Sequence, residues 1–202
     1  MSPVYLILII ILCAAVLGII FFILYRRKKM GGMAPDGDSD TEFFSGGMPE
    51  PADMTGKLIS RIVMSCDAGE VHAPCEGKIR SYTEIPDETF ASGVLGEGVG
   101  IEPSDDSVYA PFDGTISSVS DAKHAIGITG PGGMELLIHV GVDTVSMNGE
   151  GFNLFVEEDD RVKAGQKLMQ FDRKKIAADG HPDIIVVLMT NSSDMTHFKV
   201  SY

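Results

Sequence analysis

The sequence predicts an all-β fold, an antiparallel β-sandwich or barrel-like hybrid with one or two short helices, preceded by a single transmembrane helix. Three observations carry this reading. Short β-prone runs separated by Gly, Pro, Asp and Asn fill the chain beyond residue 56, as expected of a sandwich or barrel. A nine-residue phrase occurs twice within that region. An uncharged apolar run stands alone at the front.

That front run, Val4 to Leu24, holds no charged residue. At 1.5 Å per residue a helix of about 21 residues spans roughly 30 Å, the thickness of a bilayer core. Tyr25, Arg26, Arg27, Lys28 and Lys29 come directly after it, an interfacial aromatic and four cations, which by the positive-inside tendency face the cytoplasm. A cleaved secretory signal has the opposite order, with cations first, a shorter run and small residues after it. A lipoprotein signal at Cys13 is disfavoured by bulky Leu12. Residues 1–29 are therefore expected to be an uncleaved anchor with a basic cytoplasmic flank, placing the remainder of the chain at the cell membrane on the cytoplasmic side.

Residues 30–55 alternate Gly, Pro, Ser and Met with Asp36, Asp38, Asp40, Glu42, Glu50 and Asp53, and contain no cation. Such a segment cannot bury enough apolar surface to order itself and is expected to be a flexible acidic linker. Phe43 and Phe44 interrupt it, an isolated apolar pair of the kind usually incidental in a linker.

Residues 56–202 form the expected folded domain. Candidate strands are Gly77 to Tyr82, Gly98 to Ile101, Gly114 to Val119, Ala125 to Thr129, Glu135 to Val140 and Asp183 to Thr190. One short helix is expected from Asp172, as its cap, to Gly180, as its stop. The repeated phrase is V-x-A-P-x-x-G-x-I, at Val71 to Ile79 and again at Val108 to Ile116. In each copy a strand ends at Pro, which cannot donate to a ladder, and a turn at Gly opens the next. Asp160-Arg-Val-Lys-Ala-Gly-Gln-Lys-Leu168 is a turn of the sort found in biotinyl and lipoyl carriers.

Charge and cysteine usage narrow the function. The formal net charge is −13, and the cations at 26–29 are the only charges before residue 30, so residues 30–202 carry −17. No basic stripe is present for a phosphate backbone, which argues against nucleic acid as a partner. An acidic surface suits basic protein partners and keeps the domain off an anionic leaflet. Cys13, Cys66 and Cys75 are odd in number and form no C-x-x-C pair, so neither a disulfide framework nor a zinc site is expected.

Of five histidines, His72, His181 and His197 read as solvated or structural. His124 and His139 lie at or within apolar strand-like runs joined through Thr129-Gly-Pro-Gly-Gly133, a hairpin turn whose register sets the two rings near each other. Two imidazoles in one apolar setting are hard to explain as packing, because each buried ring nitrogen needs a partner. Neutral imidazole is a nucleophile with a pKa near the working pH, and a phosphoryl group on its nitrogen would need donors around its oxygens. His124, when protonated, could supply one. Asp143 and Glu97, while ionised, are suited to holding an imidazole tautomer or attracting a cationic surface.

From Glu70 to about Asp194 the chain resembles the glucose-type enzyme IIA domain of the bacterial phosphoenolpyruvate-dependent sugar phosphotransferase system. The matching phrases are Ala110 to Thr115, Lys123 to Ile128, Leu137 to Thr144, Asn148 to Phe152 and Val162 to Gln166, in the family's order. The resemblance implies a β-sandwich with an apolar depression around two histidines, His139 phosphorylated and His124 supporting it. It implies acidic neighbours at Asp143 and, as Glu in place of the usual Asp, at Glu97. It implies the phosphocarrier HPr as donor and an enzyme IIB cysteine, in a IIB/IIC sugar transporter, as acceptor, with no cofactor. One position departs from the pattern. The family commonly has Thr two residues before the supporting histidine, and Ala122 stands there. A lost hydrogen bond costs roughly 0.5–1.5 kcal/mol, up to about tenfold in rate.

The main alternative is a catalytically weak regulatory module of the same fold, for which Ala122 is the best support. A zinc peptidase would need a third ligand and usually an H-x-H pair, and residue 137 is Leu. A lipoyl or biotinyl carrier would need an M-K-M phrase, and none is present. Two imidazoles would permit a partner to bridge zinc, although nothing in the sequence demands it. A linker of about 26 flexible residues has an rms reach of roughly 25–30 Å, enough to concentrate the domain near a membrane transporter. Deleting residues 1–55 is therefore expected to weaken sugar uptake in cells while leaving phosphoryl transfer in solution intact; unaffected uptake would rule out the tethering role.

Overall fold

A computed structural model describes residues 60–202. The expected anchor at 4–24 and linker at 30–55 lie outside the described residues. Among the described residues no helix is long and apolar enough to cross a membrane.

The described residues form thirteen short strands and two short helices. Strands β1 (Ile62–Cys66), β2 (Gly69–His72) and β3 (Gly77–Ser81) lead to helix α1 (Glu88–Ala91). Then come β4 (Glu97–Pro103), β5 (Ser107–Tyr109), β6 (Gly114–Val119), β7 (Ala125–Thr129), β8 (Glu135–Val140), β9 (Phe152–Leu154), β10 (Arg161–Val162) and β11 (Lys167–Phe171). Helix α2 (Arg173–Ala178), β12 (Ile185–Met189) and β13 (Lys199–Val200) complete the chain. The strands make a seven-stranded sheet, ordered β10-β6-β7-β8-β12-β4-β3, and two three-stranded sheets, β13-β1-β2 and β5-β11-β9. Every pairing among them is antiparallel.

All six expected strands form, and local chemistry explains their limits. The β7–β8 hairpin closes through Gly130, whose N–H donates to the Met134 carbonyl at 2.8 Å, and pairs Thr129 with Glu135 and Ala125 with His139. Helix α2 starts where the Asp172 carboxylate accepts the Lys175 N–H at 3.0 Å, and it ends one turn and a half later, just before Gly180. Helix α1 is an addition to the expected elements. It is a single turn capped by Asp87, which accepts the Phe90 N–H at 3.0 Å, and four residues are too few to show a helical period.

The two copies of V-x-A-P clasp each other. His72 N–H donates to the Pro111 carbonyl at 3.2 Å, and Tyr109 N–H, at the equivalent position, donates to the Pro74 carbonyl at 2.7 Å. The alanines next in each copy also match, Ala73 N–H bonding the Arg61 carbonyl and Ala110 N–H the Gln166 carbonyl. The repeat is thus a local pseudo-twofold linking β2–β3 to β5–β6.

One core is shared by all three sheets. Met64 and Val71, Val108, Leu168 and Met169, and Ile101, Ile116, Ile138 and Val187 are all fully buried in it. Strand β12 is apolar throughout because both of its faces are covered. Ile185, Val187 and Met189 point into the main core, while Val186 and Leu188 point outward into a second cluster with Ile85, Phe90, Val142 and Ile184. Helix α1 lies in the segment that covers this outer cluster. Gly98 lets β4 lie close to β12, since a Cβ there would run into the Val187 carbonyl oxygen. Gly98→Ala is expected to destabilise the domain by about 1–3 kcal/mol, read as a lower urea midpoint; an unchanged midpoint would mean the two strands separate without cost.

A candidate paired-histidine site

Side-chain alternation along β8 builds the site. Leu136, Ile138 and Val140 enter the main core, which turns Leu137 and His139 to the outer face. His139 sits between Ala125 on β7 and Val186 on β12, and Val186 pairs in turn with Gly100 on β4. His124 immediately precedes β7 and is 7% exposed; its carbonyl accepts the Val140 N–H at 2.8 Å. The two rings meet edge to face, with centroids 4.6 Å apart and planes at 84°. Phe90 of α1 stands edge-on to His139 at 5.0 Å, and Phe152 of β9 lies 6.5 Å from His124.

Hydrogen bonds give the rings direction. His139 Nδ1 is 2.8 Å from the Gly141 carbonyl oxygen, which can only accept, so Nδ1 carries the proton and Nε2 keeps its lone pair. The acceptor is held from several sides. Gly141 N–H donates to the Ile184 carbonyl at 2.9 Å, Val142 N–H to the Pro182 carbonyl at 3.0 Å, and the Thr144 hydroxyl to the Val140 carbonyl at 2.6 Å. Gly141 has φ +79°, and a Cβ there would collide with Thr144 Cγ2, so glycine is required both by conformation and by space. On the other ring, His124 Nδ1 lies 3.2 Å from Ser120 Oγ, which also accepts the Ala125 N–H at 3.1 Å.

Burial controls the charge of the pair. Desolvation, reinforced by the neighbouring His124, pushes the His139 pKa down to about 3, against a smaller opposing effect of the Gly141 carbonyl. His124 is also lowered, mainly by burial, while a hydrogen bond to the Ala122 carbonyl acts in the other direction. Both rings are therefore neutral near pH 7, one with a bare Nε2 in an apolar surround. Such a group can act as a nucleophile toward an electrophile brought by a partner.

The remaining expected site residues are placed unevenly. Asp143 is exposed, two residues beyond Gly141, and holds a left-handed φ of 59° at the start of the 3-10 turn Thr144–Met147. Ala122 is half-buried and contributes its carbonyl to His124. Glu97 is exposed at the start of β4, opposite Met189 and three positions along the ladder from the His139–Val186–Gly100 row. Phe90, Gly141 and Ser120 also belong to the site; no local motif marks Phe90 or Ser120, and Gly141 lies in the Leu137 to Thr144 phrase without its carbonyl's part being evident there. The other histidines lie elsewhere: His181 Nε2 meets Ser146 Oγ at 3.0 Å, His197 Nδ1 meets the Asp67 carboxylate at 2.9 Å, and His72, opposite Ile62 across β1–β2, has a buried Nδ1 with no hydrogen-bond partner among the described residues. Burial raises the Cys75 thiol far above its ordinary pKa, leaving it unreactive.

Comparison with known proteins agrees with this geometry. Residues 69–195 match the family model described as phosphoenolpyruvate-dependent sugar phosphotransferase system, EIIA 1. The chain is 43% identical over 148 residues to the PTS system glucose-specific EIICBA component of Staphylococcus saprophyticus, a match covering 72% of this chain and 22% of that protein. The chain thus spans about a fifth of that curated relative's length. Among solved structures, the glucose permease IIA from Mycoplasma capricolum superposes with a TM-score of 0.57 at 39% identity, covering 59% of this chain and 78% of that one. With most of the folded domain matched and the fold shared, the chain belongs to the EIIA 1 family of the phosphoenolpyruvate-dependent sugar phosphotransferase system, a phosphotransferase component.

Proposed function

We propose that the domain relays a phosphoryl group on His139 Nε2, taking it from phospho-HPr and passing it to a cysteine of an enzyme IIB domain for sugar uptake. The observation that carries this reading is the 2.8 Å hydrogen bond from His139 Nδ1 to the Gly141 carbonyl, which leaves Nε2 as a bare nucleophile beside a second imidazole. In the first step the Nε2 lone pair attacks phosphorus, the bond from phosphorus to the donor nitrogen breaks, and that nitrogen recovers its electron pair. Nδ1 keeps its proton throughout, so the Gly141 carbonyl partly offsets the positive charge the ring acquires. In the second step the IIB thiolate attacks phosphorus and the P–Nε2 bond breaks, returning the lone pair to His139. His124 supplies a hydrogen bond to the phosphoryl oxygens in both directions. Asp143, exposed at the rim, suits a cationic partner surface.

Residues 4–24 hold the domain at the cytoplasmic face of the membrane in this reading, and residues 30–55 let it reach the transporter. A regulatory module is the competing reading, and it draws on Ala122, whose side chain offers no hydroxyl to His124.

Phosphoryl transfer from phosphoenolpyruvate through enzyme I and HPr to the full chain tests the relay. The wild type is expected to gain an acid-labile phosphate, His139→Ala to gain none, and His124→Ala to gain it but pass it on at least tenfold more slowly. A wild type that stays unlabelled with active upstream proteins would favour the regulatory reading. The depressed histidine pKa values also predict a pH dependence of stability. Their folded values lie below the unfolded value of about 6.5, so the unfolded chain binds more protons as pH falls. The urea midpoint is therefore expected to be level above about pH 7 and to fall as pH drops through 6 toward 5, more steeply in the wild type than in His139→Gln. Parallel profiles would show that His139 protonates freely in the folded state.

A further inference from the structure

We infer that Ser120 is the positioning residue for His124, its hydroxyl fixing the imidazole as the tautomer that presents Nε2–H to the phosphoryl group. The inference rests on the phosphocarrier reading above for its functional consequence, but its structural basis is independent.

Strand β6 ends at Val119 and β7 begins at Ala125, so the loop between them must reverse within a few residues. Ser120 closes it. Its N–H donates to the Ala125 carbonyl at 3.0 Å, its carbonyl accepts the Lys123 N–H at 2.8 Å, and Lys123 takes a left-handed φ of 58° to complete the turn. These bonds fix the Ser120 backbone and aim Oγ inward, where it meets two groups: the Ala125 N–H at 3.1 Å and His124 Nδ1 at 3.2 Å. A hydroxyl has one proton and two lone pairs. The Ala125 amide takes one lone pair, which leaves the O–H and a second lone pair for the ring; in the inferred arrangement the O–H is donated to the unprotonated Nδ1 of the neutral imidazole. The ring proton of His124 then resides on Nε2.

His139 has the opposite arrangement, with its proton on Nδ1 against the Gly141 carbonyl. The two rings therefore offer complementary atoms to one ligand: a lone pair on Nε2 of His139 to bond phosphorus, and an N–H on Nε2 of His124 to bond a phosphoryl oxygen. The second group is provided without charging His124, which its burial disfavours. The Ala122 carbonyl also touches the ring, but a carbonyl can only accept and so favours a ring N–H beside it. Of these two partners Ser120 alone can donate to a bare ring nitrogen. Position 122 is Ala, so the hydroxyl that reaches His124 is that of Ser120.

The test is to record two-bond ¹⁵N–¹H imidazole spectra of the full chain, as wild type, Ser120→Ala and Ser120→Thr, and to measure transfer from phospho-HPr and onward to enzyme IIB. The wild type is expected to show His124 as Nε2–H and His139 as Nδ1–H. Ser120→Ala is expected to shift His124 toward Nδ1–H and to slow transfer about tenfold, the effect of one hydrogen bond. Ser120→Thr, which keeps the hydroxyl, is expected to retain both the tautomer and the rate within about threefold. The inference is overturned if wild-type His124 carries its proton on Nδ1, if Ser120→Ala leaves the tautomer unchanged, or if Ser120→Thr is as impaired as Ser120→Ala. A wild type that accepts no phosphate overturns the phosphocarrier reading instead, and the spectra still decide the role of Ser120.

Discussion

The arrangement of the domain depends on one strand that cannot face water on either side. Ile185 to Met189 offers no polar position, so β12 must be central and both its faces must be covered. Covering one face assembles the main core from three sheets. Covering the other requires a second, smaller apolar layer, and the segment carrying Ile85 and Phe90 supplies it. The histidine pair lies in this second layer. It is apolar enough to strip the rings of water and thin enough that His139 is only partly buried.

Within that layer, a main-chain carbonyl gives His139 its chemistry. A carboxylate in the place of the Gly141 carbonyl would also hold the Nδ1 proton, but it would draw the ring toward the imidazolium form, which is not nucleophilic. A neutral acceptor orients the ring and leaves the charge to be set by burial. The cost is conformational: the chain must turn sharply after Val140, and only glycine both tolerates the left-handed backbone and leaves room for Thr144.

Local features of the fold are legible in the sequence, and long-range ones are not. The β7–β8 hairpin and its two histidines can be read because turn, strands and register lie within sixteen residues of one another. Asp172 announces α2 for the same reason. The strands of two to four residues, β5, β9, β10 and β13 among them, are too short to display alternation and are defined only by partners far along the chain. Glu97 enters the site by resemblance alone, since its place depends on the register of β4 against β12, about ninety residues later, which no local pattern encodes. Gly141 stands inside the Leu137 to Thr144 phrase, but the part it plays is that of its carbonyl, an atom every residue has, so the role is not legible from the phrase. Ser120 carries no local signal either: the family pattern points to position 122, whereas loop closure delivers the hydroxyl from position 120.

The clasp between the two V-x-A-P turns bears on how the chain reaches this structure. Each turn donates one N–H to a carbonyl of the other, so neither copy completes its hydrogen bonds alone. Structure that is half-formed leaves buried main-chain groups unpaired on both sides, a penalty relieved only when the halves close together. The domain therefore has no stable half. Its folding is bound to be cooperative and limited by the search for distant partners, which is slow relative to helical proteins of the same length.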